Sequence, residues 1–154
     1  MDLSDLLTLD AVVPALRANS KKQVLQELSA KAAEITGQAE RDIFEVLLQR
    51  ERLGSTGVGH GVAIPHGKLP RLARITGLFV RLDKAIDFEA VDDLPVDLVF
   101  LLLAPESAGA DHLKALARIA RVLRDGQKSA KLRGTSDPAG LYALLTEAAA
   151  PNAA

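Results

Sequence analysis

The 154-residue chain contains no cysteine. That one absence removes disulfides, zinc–thiolate centres, iron–sulfur clusters and thiol nucleophiles together. Aromatics are scarce, four Phe and one Tyr, so a base-stacking platform for single-stranded nucleic acid has nothing to be built from. No charge sign dominates either: 19 Lys and Arg against 20 Asp and Glu leave a formal net charge of −1. Broad electrostatic capture of nucleic acid needs a clear basic excess. The longest apolar run, Leu98 to Ala104, is far short of the roughly 20 residues of a membrane helix. Met1-Asp2-Leu3-Ser4-Asp5 has no basic region leading into an apolar stretch, as a secretory signal would. The expectation is a cytoplasmic protein with no membrane insertion, no nucleic-acid partner, no metal and no cofactor.

What is present suits one globular domain. An apolar fraction of 48% with 25% charged residues supports a packed core and argues against disorder. The length predicts a single domain over 1–147 and a flexible tail over 148–154. Ser20 and Gln23 have the spacing of a capping box, with Val24, Leu25, Leu28, Ala32 and Ile35 on one helical face and Gly37 as the stop. A second helix is predicted from about Ala39 to Leu53, with Ile43, Phe44, Leu47 and Leu48 inward. Strands are predicted at Val62-Ala63-Ile64, Ile75 to Leu82 and Val96 to Ala104, the last covered on both faces. A short edge strand is predicted over Ala11 to Leu16, because Pro14 cannot donate to an inner ladder. A third helix is predicted from Asp111 to near Gly126. Its expected buried stripe is Leu113, Leu116, Ala117, Ala120 and Leu123, with Lys114, Arg118, Arg121 and Arg124 opposite. Asp137 and Pro138 open a last helix carrying Leu141, Leu144 and Leu145. The predicted fold class is α/β, a mixed central sheet of about five strands flanked by helices on both faces.

Five of the eleven glycines lie between Gly54 and Gly67. The spacing fits neither a P-loop, nor a dinucleotide fingerprint, nor a nucleophile elbow. Three histidines remain: His60, His66 and His112. His66 stands between Pro65, which fixes the approach of the chain, and Gly67, which lets another surface come close. His112 falls in the first turn of a helix, where free N–H groups favour an anion and disfavour imidazolium. A neutral imidazole is a competent nucleophile that accepts phosphoryl groups. Transfer asks mainly for alignment and oxygen-directed donors. A metal site is a second reading, without the His-Glu-x-x-His spacing that would support it. Plainer readings stand beside these. Arg50 suits a helix C-terminus, Ser55 and Thr56 can satisfy loop backbone, and the basic stripe can be a solvated face.

The stretch from Arg50-Glu51 through Gly54-Ser55-Thr56-Gly57 to Ile64-Pro65-His66-Gly67 resembles the active-site signature of the fructose/mannitol-type IIA components of the bacterial phosphotransferase system (PTS). Within that family it is most similar to the nitrogen-regulatory branch. Pro95 to Pro105 and Asp111 to Leu116 continue the likeness, which runs from Leu3 to about Leu145. The resemblance implies that His66 is phosphorylated, on the ring nitrogen distal to the backbone. It implies that His112 donates a hydrogen bond to the phosphoryl group and that Arg50 offsets its charge. Ser55 and Thr56 would bring a hydroxyl to it. The implied donor is a phosphorylated HPr-type carrier supplied by an enzyme I. His60 stands where relatives usually carry Asn or Glu, which would add a titrating group near the site. Two roles follow from the family: a transport component passing phosphate to a IIB domain and a sugar, or a regulator of target proteins such as potassium transporters or sensor kinases. With no fused IIB, IIC or HPr domain in the chain, the expected role is regulation, as a phosphocarrier transferase in the broad sense, with a weak homodimer as its assembly.

Overall fold

Residues 98 to 104 are each at most 1% exposed, and successive side chains of a strand point to opposite faces. Both faces of the strand they form must therefore be covered. In the computed structural model, which describes residues 2–147, this strand is β6, and the expected 148–154 tail lies outside the described residues. Number labels follow chain order: β1 (Val12–Leu16), β2 (Gly57–Gly59), β3 (Val62–Ala63), β4 (His66–Leu69), β5 (Thr76–Ile86) and β6 (Val96–Pro105). β5 runs antiparallel to β6, with Phe79 opposite Phe100. On the other edge of β6, β3 and β4 lie end to end, both parallel to it. β2 closes that side as a hairpin with β3. β1 pairs only with β5, so Pro14 sits on an edge, where its missing N–H removes no inner ladder bond.

The sheet has six strands rather than about five. The surplus comes from β2 and β4, too short and too glycine-rich to show an apolar alternation. The residues around His66 are thus strand rather than open loop.

The described chain has five α-helices, α1 (Lys21–Thr36), α2 (Glu40–Arg52), α3 (Ala110–Arg124), α4 (Gly126–Arg133) and α5 (Pro138–Thr146), and three single-turn 3-10 helices. Ser20 Oγ accepts from Gln23 N at 3.1 Å, while Gln23 Oε1 turns to Asn19 N at 2.8 Å, one residue earlier than a capping box requires. Gly37 ends α1 at φ 74. Asp137 caps α5 through Gly140 N, and Leu141 and Leu145 are buried. α4 had no counterpart in the sequence reading. It is mostly polar, capped by Asp125 through Gln127 N and Lys128 N, and it buries only Ser129 and Leu132.

α3 is rotated from its expected phase. Its buried residues are His112, Ala115, Ile119, Val122 and Leu123, and Leu113 is 67% exposed. The stripe at 112, 115, 119 and 122 has good helical spacing, but a histidine heads it and a larger apolar residue stands beside it. Apolarity alone selects the wrong face, and the buried face turns His112 inward.

One contact brings the helical and strand parts of the site together. α2 packs on β4 at Gly67, where any Cβ would collide with Val46 Cγ1. Arg50 lies one turn beyond Val46 on α2, and His66 immediately precedes Gly67, so this close approach sets their separation. Gly67→Ala is expected to lower stability by about 1–3 kcal/mol through overpacking, and adding Val46→Ala should recover part of the loss. Urea unfolding of the single and double variants measures both; an unchanged midpoint for Gly67→Ala contradicts the packing argument.

Candidate functional site

His66 opens β4 and is half-buried. Its Nδ1 lies 2.8 Å from the Ile64 carbonyl. A carbonyl only accepts, so Nδ1 carries the proton and Nε2 the lone pair. Ile64 precedes a proline, which confines its backbone to the extended region and fixes where that carbonyl points. On the other side of the ring, Arg50 Nε–H donates to His66 Nε2 at 3.3 Å. Arg50 Nη1 also donates to Gly54 O at 2.9 Å, which fastens the guanidinium to the end of its own helix.

His112 projects from the first turn of α3, 8% exposed. Its ring centroid is 5.7 Å from that of His66, with the planes at 55°. Its Nδ1 is buried with no hydrogen-bond partner among the described residues. Burial, which penalises the charged ring, is the main cause holding both histidines below their ordinary value. At His66 the Ile64 carbonyl opposes it, the Arg50 charge adds to it, and the Glu51 carboxylate opposes it more weakly. At His112 the further causes are His66 and Lys68. A neutral His112 was expected from the helix N-terminus; desolvation is the largest cause lowering it.

Arg50, His66 and His112 therefore converge. Ser55 and Thr56 lie on the same loop, but their hydroxyls have protein partners. Ser55 Oγ donates to Phe88 O at 2.9 Å and accepts from Gly57 N at 3.0 Å. Thr56 is buried, and both its N–H and its Oγ1–H donate to the Glu51 carboxylate.

His60 does not join them. With φ 57 it forms, with Gly61 at φ 80, the turn of the β2–β3 hairpin. Its N–H donates to Asp92 Oδ2 and its carbonyl accepts from Arg133 Nη2. Gly61 O receives Asp97 N, whereas His66 is level with Leu102. That is five residues along β6, or about 16 Å of strand. His60 is not among the charges acting on His66, which corrects the expectation of a titrating group near the site. A left-handed φ is what Asn tolerates well, so the position is a turn position.

Glu51 is the residue the sequence reading missed. It continues the buried i, i+4 stripe of Ile43 and Leu47, and a carboxylate in that phase signals a paired, buried charge. Among the described residues no three of His, Asp and Glu gather to hold a metal.

A neutral imidazole with its lone pair beside a fixed cation and a second imidazole is suited to receive an anionic group. Residues 5–148 match the family described as "Phosphoenolpyruvate-dependent sugar phosphotransferase system, EIIA 2". The chain belongs to this family. It is 67% identical over 145 residues to a protein of Bradyrhizobium diazoefficiens named "Nitrogen regulatory protein", covering 94% of this chain and 95% of that one. The crystal structure of nitrogen regulatory protein IIA-Ntr from Neisseria meningitidis matches with TM-score 0.89 at 35% identity, over 94% of this chain and 99% of that chain. A complex of enzyme IIA-mannitol and phosphorylated enzyme IIB-mannitol from Escherichia coli matches with TM-score 0.77 at 20% identity, over 91% of this chain and 98% of that chain; this likeness shows the family's α/β fold alone. Among the described residues no helix is long and apolar enough to cross a membrane.

Both histidines should titrate below 6.5 by NMR. The sign for stability follows from their depressed folded values: the unfolded chain takes up protons first as the pH falls. Their contribution is whole above the unfolded value and is lost as the pH drops from about 6.5 through the folded values. His66→Gln combined with His112→Gln should flatten that part of the stability profile; an unaltered slope would remove these rings as its cause.

Proposed function

We propose that this chain, as a single IIA-type domain over 1–147, is a cytoplasmic phosphoryl-accepting regulatory protein of the nitrogen phosphotransferase system. His66 accepts phosphate from a phosphorylated HPr-type carrier, and the phosphorylation state controls binding of target proteins, with potassium transporters and sensor kinases as the expected kinds. The observation that carries this reading is the paired restraint on one ring: Ile64 O at Nδ1 and Arg50 Nε at Nε2.

The step needs no proton relay. The Nε2 lone pair of neutral His66 attacks the phosphorus of the donor's ring-protonated phosphohistidine. The donor's P–N bond breaks, and its electron pair returns to an imidazole that leaves neutral. His66 keeps its Nδ1 proton, and its ring takes on the positive character the donor gives up. The Ile64 carbonyl, already at 2.8 Å, stabilises that change. Arg50 must release the lone pair and turn to a phosphoryl oxygen, which the charge-assisted bond favours. The His112 ring supplies a hydrogen bond to another oxygen. Ser55 and Thr56, whose hydroxyls serve the loop, act on the site through its shape rather than by touching the phosphoryl group.

Phosphorylation adds roughly 1.5 to 2 negative charges. Leu53, three residues after Arg50, is 85% exposed, and Leu113, next to His112, is 67% exposed. New charge beside an apolar rim changes which partner surface fits. The relatives named nitrogen regulatory protein, at 67% and 35% identity, favour regulation over transport. The transport reading takes its support from the mannitol-type complex with a phosphorylated IIB enzyme.

Incubation with the phosphorylated HPr-type carrier should give an acid-labile adduct on the wild-type protein and none on His66→Ala. Label retained by that variant would move the acceptor to another histidine. His112→Ala should accept phosphate but pass it back roughly a hundredfold more slowly, the lower end of the loss for removing one preorganised donor. A pull-down comparing wild type, His66→Ala and His66→Glu tests state-dependent target binding, while onward transfer of label to a IIB domain and a sugar would favour transport.

A further inference from the structure

The Glu51 side chain is only 4% exposed, and Lys21 Nζ lies 2.7 Å from its carboxylate. Burying a carboxylate is costly unless it is paired and hydrogen-bonded. Here every donor is accounted for: Lys21, the Thr56 hydroxyl, and the Thr56 N–H at 3.1 and 3.3 Å to the two oxygens. Lys21 is itself held in place, 5.0 Å above the Phe88 ring. Glu51 is the one buried acid among the described residues. A pair that filled space alone could be replaced by apolar side chains without loss.

What distinguishes this pair is where its hydrogen bonds lead. Thr56 N–H donates to Glu51, and Thr56 O accepts from Ile64 N at 3.0 Å. Ile64 O in turn accepts the Nδ1 proton of His66 at 2.8 Å. The line from Lys21 through Glu51, Thr56 and Ile64 to the imidazole is unbroken, and it ties α1 and α2 to the strand segment that carries the reactive ring. Arg50 Nε–H, donating to Nε2 at 3.3 Å, favours the same tautomer from the other side of the ring.

We infer that Glu51, with Lys21 behind it and Thr56 in front, is a positioning residue for phosphoryl transfer, holding the Ile64 carbonyl so that His66 presents Nε2. This inference rests on the phosphoryl-acceptor reading of His66. Glu51 also places one negative charge behind a ring that becomes more positive as the new N–P bond forms. The groups facing His66 are Arg50 and Glu51 on α2 and His112 on α3. Of the ion pair only Glu51 acts on the ring directly, favouring its positive form, and Lys21 offsets that carboxylate's charge. Removing the carboxylate charge makes a positive ring harder to form, and removing the ammonium leaves that carboxylate unneutralised and makes it easier.

The test compares Glu51→Gln, Lys21→Met and Thr56→Val in the full chain by three measurements. These are urea stability, the tautomer and titration of His66 by 15N NMR, and the rate of transfer from the phosphorylated HPr-type carrier. Glu51→Gln should shift the His66 titration downward, reduce the Nδ1–H tautomer fraction and slow transfer roughly ten- to a hundredfold, the scale of a small misplacement. Lys21→Met should shift the titration upward. Thr56→Val keeps the backbone bonds and should fall between Glu51→Gln and wild type. A merely structural pair would destabilise in all three variants and leave the folded protein's tautomer and titration where they were; that result overturns the inference. If Glu51→Gln does not fold, the upward shift in Lys21→Met decides alone, and its absence also overturns it. The NMR measurements need no phosphate, so they hold even if the wild-type chain takes no label, an outcome that would instead defeat the acceptor reading.

Discussion

The hydrogen bond from His66 Nδ1 to the Ile64 carbonyl is the constraint on which the site depends. A free neutral imidazole divides its proton between two nitrogens, and only one tautomer exposes a lone pair where Arg50 and His112 can serve it. The carbonyl chooses that tautomer, and Pro65 fixes the carbonyl. The pairing of β4 with β6 then fixes the strand, with Leu102 N donating to Pro65 O at 3.0 Å. The most hydrophobic strand of the sheet thus supplies a rigid rail for its most polar function. Burial on both faces makes β6 hard to displace, and the short strands on its edge inherit that rigidity.

Much of this was legible in the sequence, and the reasons differ by element. The apolar run of Leu98 to Ala104 has no solvated alternative, so β6 was readable. α1 carries a polar start and a glycine stop, and α5 an Asp-Pro start. β2 and β4 were not readable, because in such short segments the ladder to β6 replaces side-chain alternation as the determinant. α4 escaped because few of its residues face inward. α3 was found but turned to the wrong face, since the inward histidine that heads its buried stripe also disguises it.

The same contrast divides the site. His66, His112 and Arg50 are residue types with a chemical reason to meet, and three-dimensional proximity was the missing part. Glu51 was passed over because Arg50 beside it drew the attention and acidic residues near a helix end are usually solvated. Its phase with Ile43 and Leu47 was the available signal. His60 was a reverse error: a titratable side chain in a glycine-rich stretch, expected as a titrating group near the site, occupies a left-handed turn position instead.

With His66 as the proposed phosphoryl acceptor, two electrostatic demands at the site would pull against each other, and the fold would meet them at different depths. A nucleophilic ring must be uncharged before transfer, which burial and the Arg50 guanidinium favour. It must then tolerate positive character as it takes the phosphoryl group, which the Ile64 carbonyl favours and more burial would oppose. A fully buried histidine would satisfy the first demand and fail the second, and a fully exposed one would meet neither the tautomer nor the cation requirement. Half-burial of His66, with neutral His112 packed deeper beside it, lies between these limits. The ring is desolvated enough to stay neutral, while a fixed carbonyl stands ready where positive character develops. On the proposed transfer, the guanidinium that helps hold the ring neutral is also the group with most to gain from an arriving phosphoryl oxygen, so one side chain would assist both states by moving from nitrogen to oxygen.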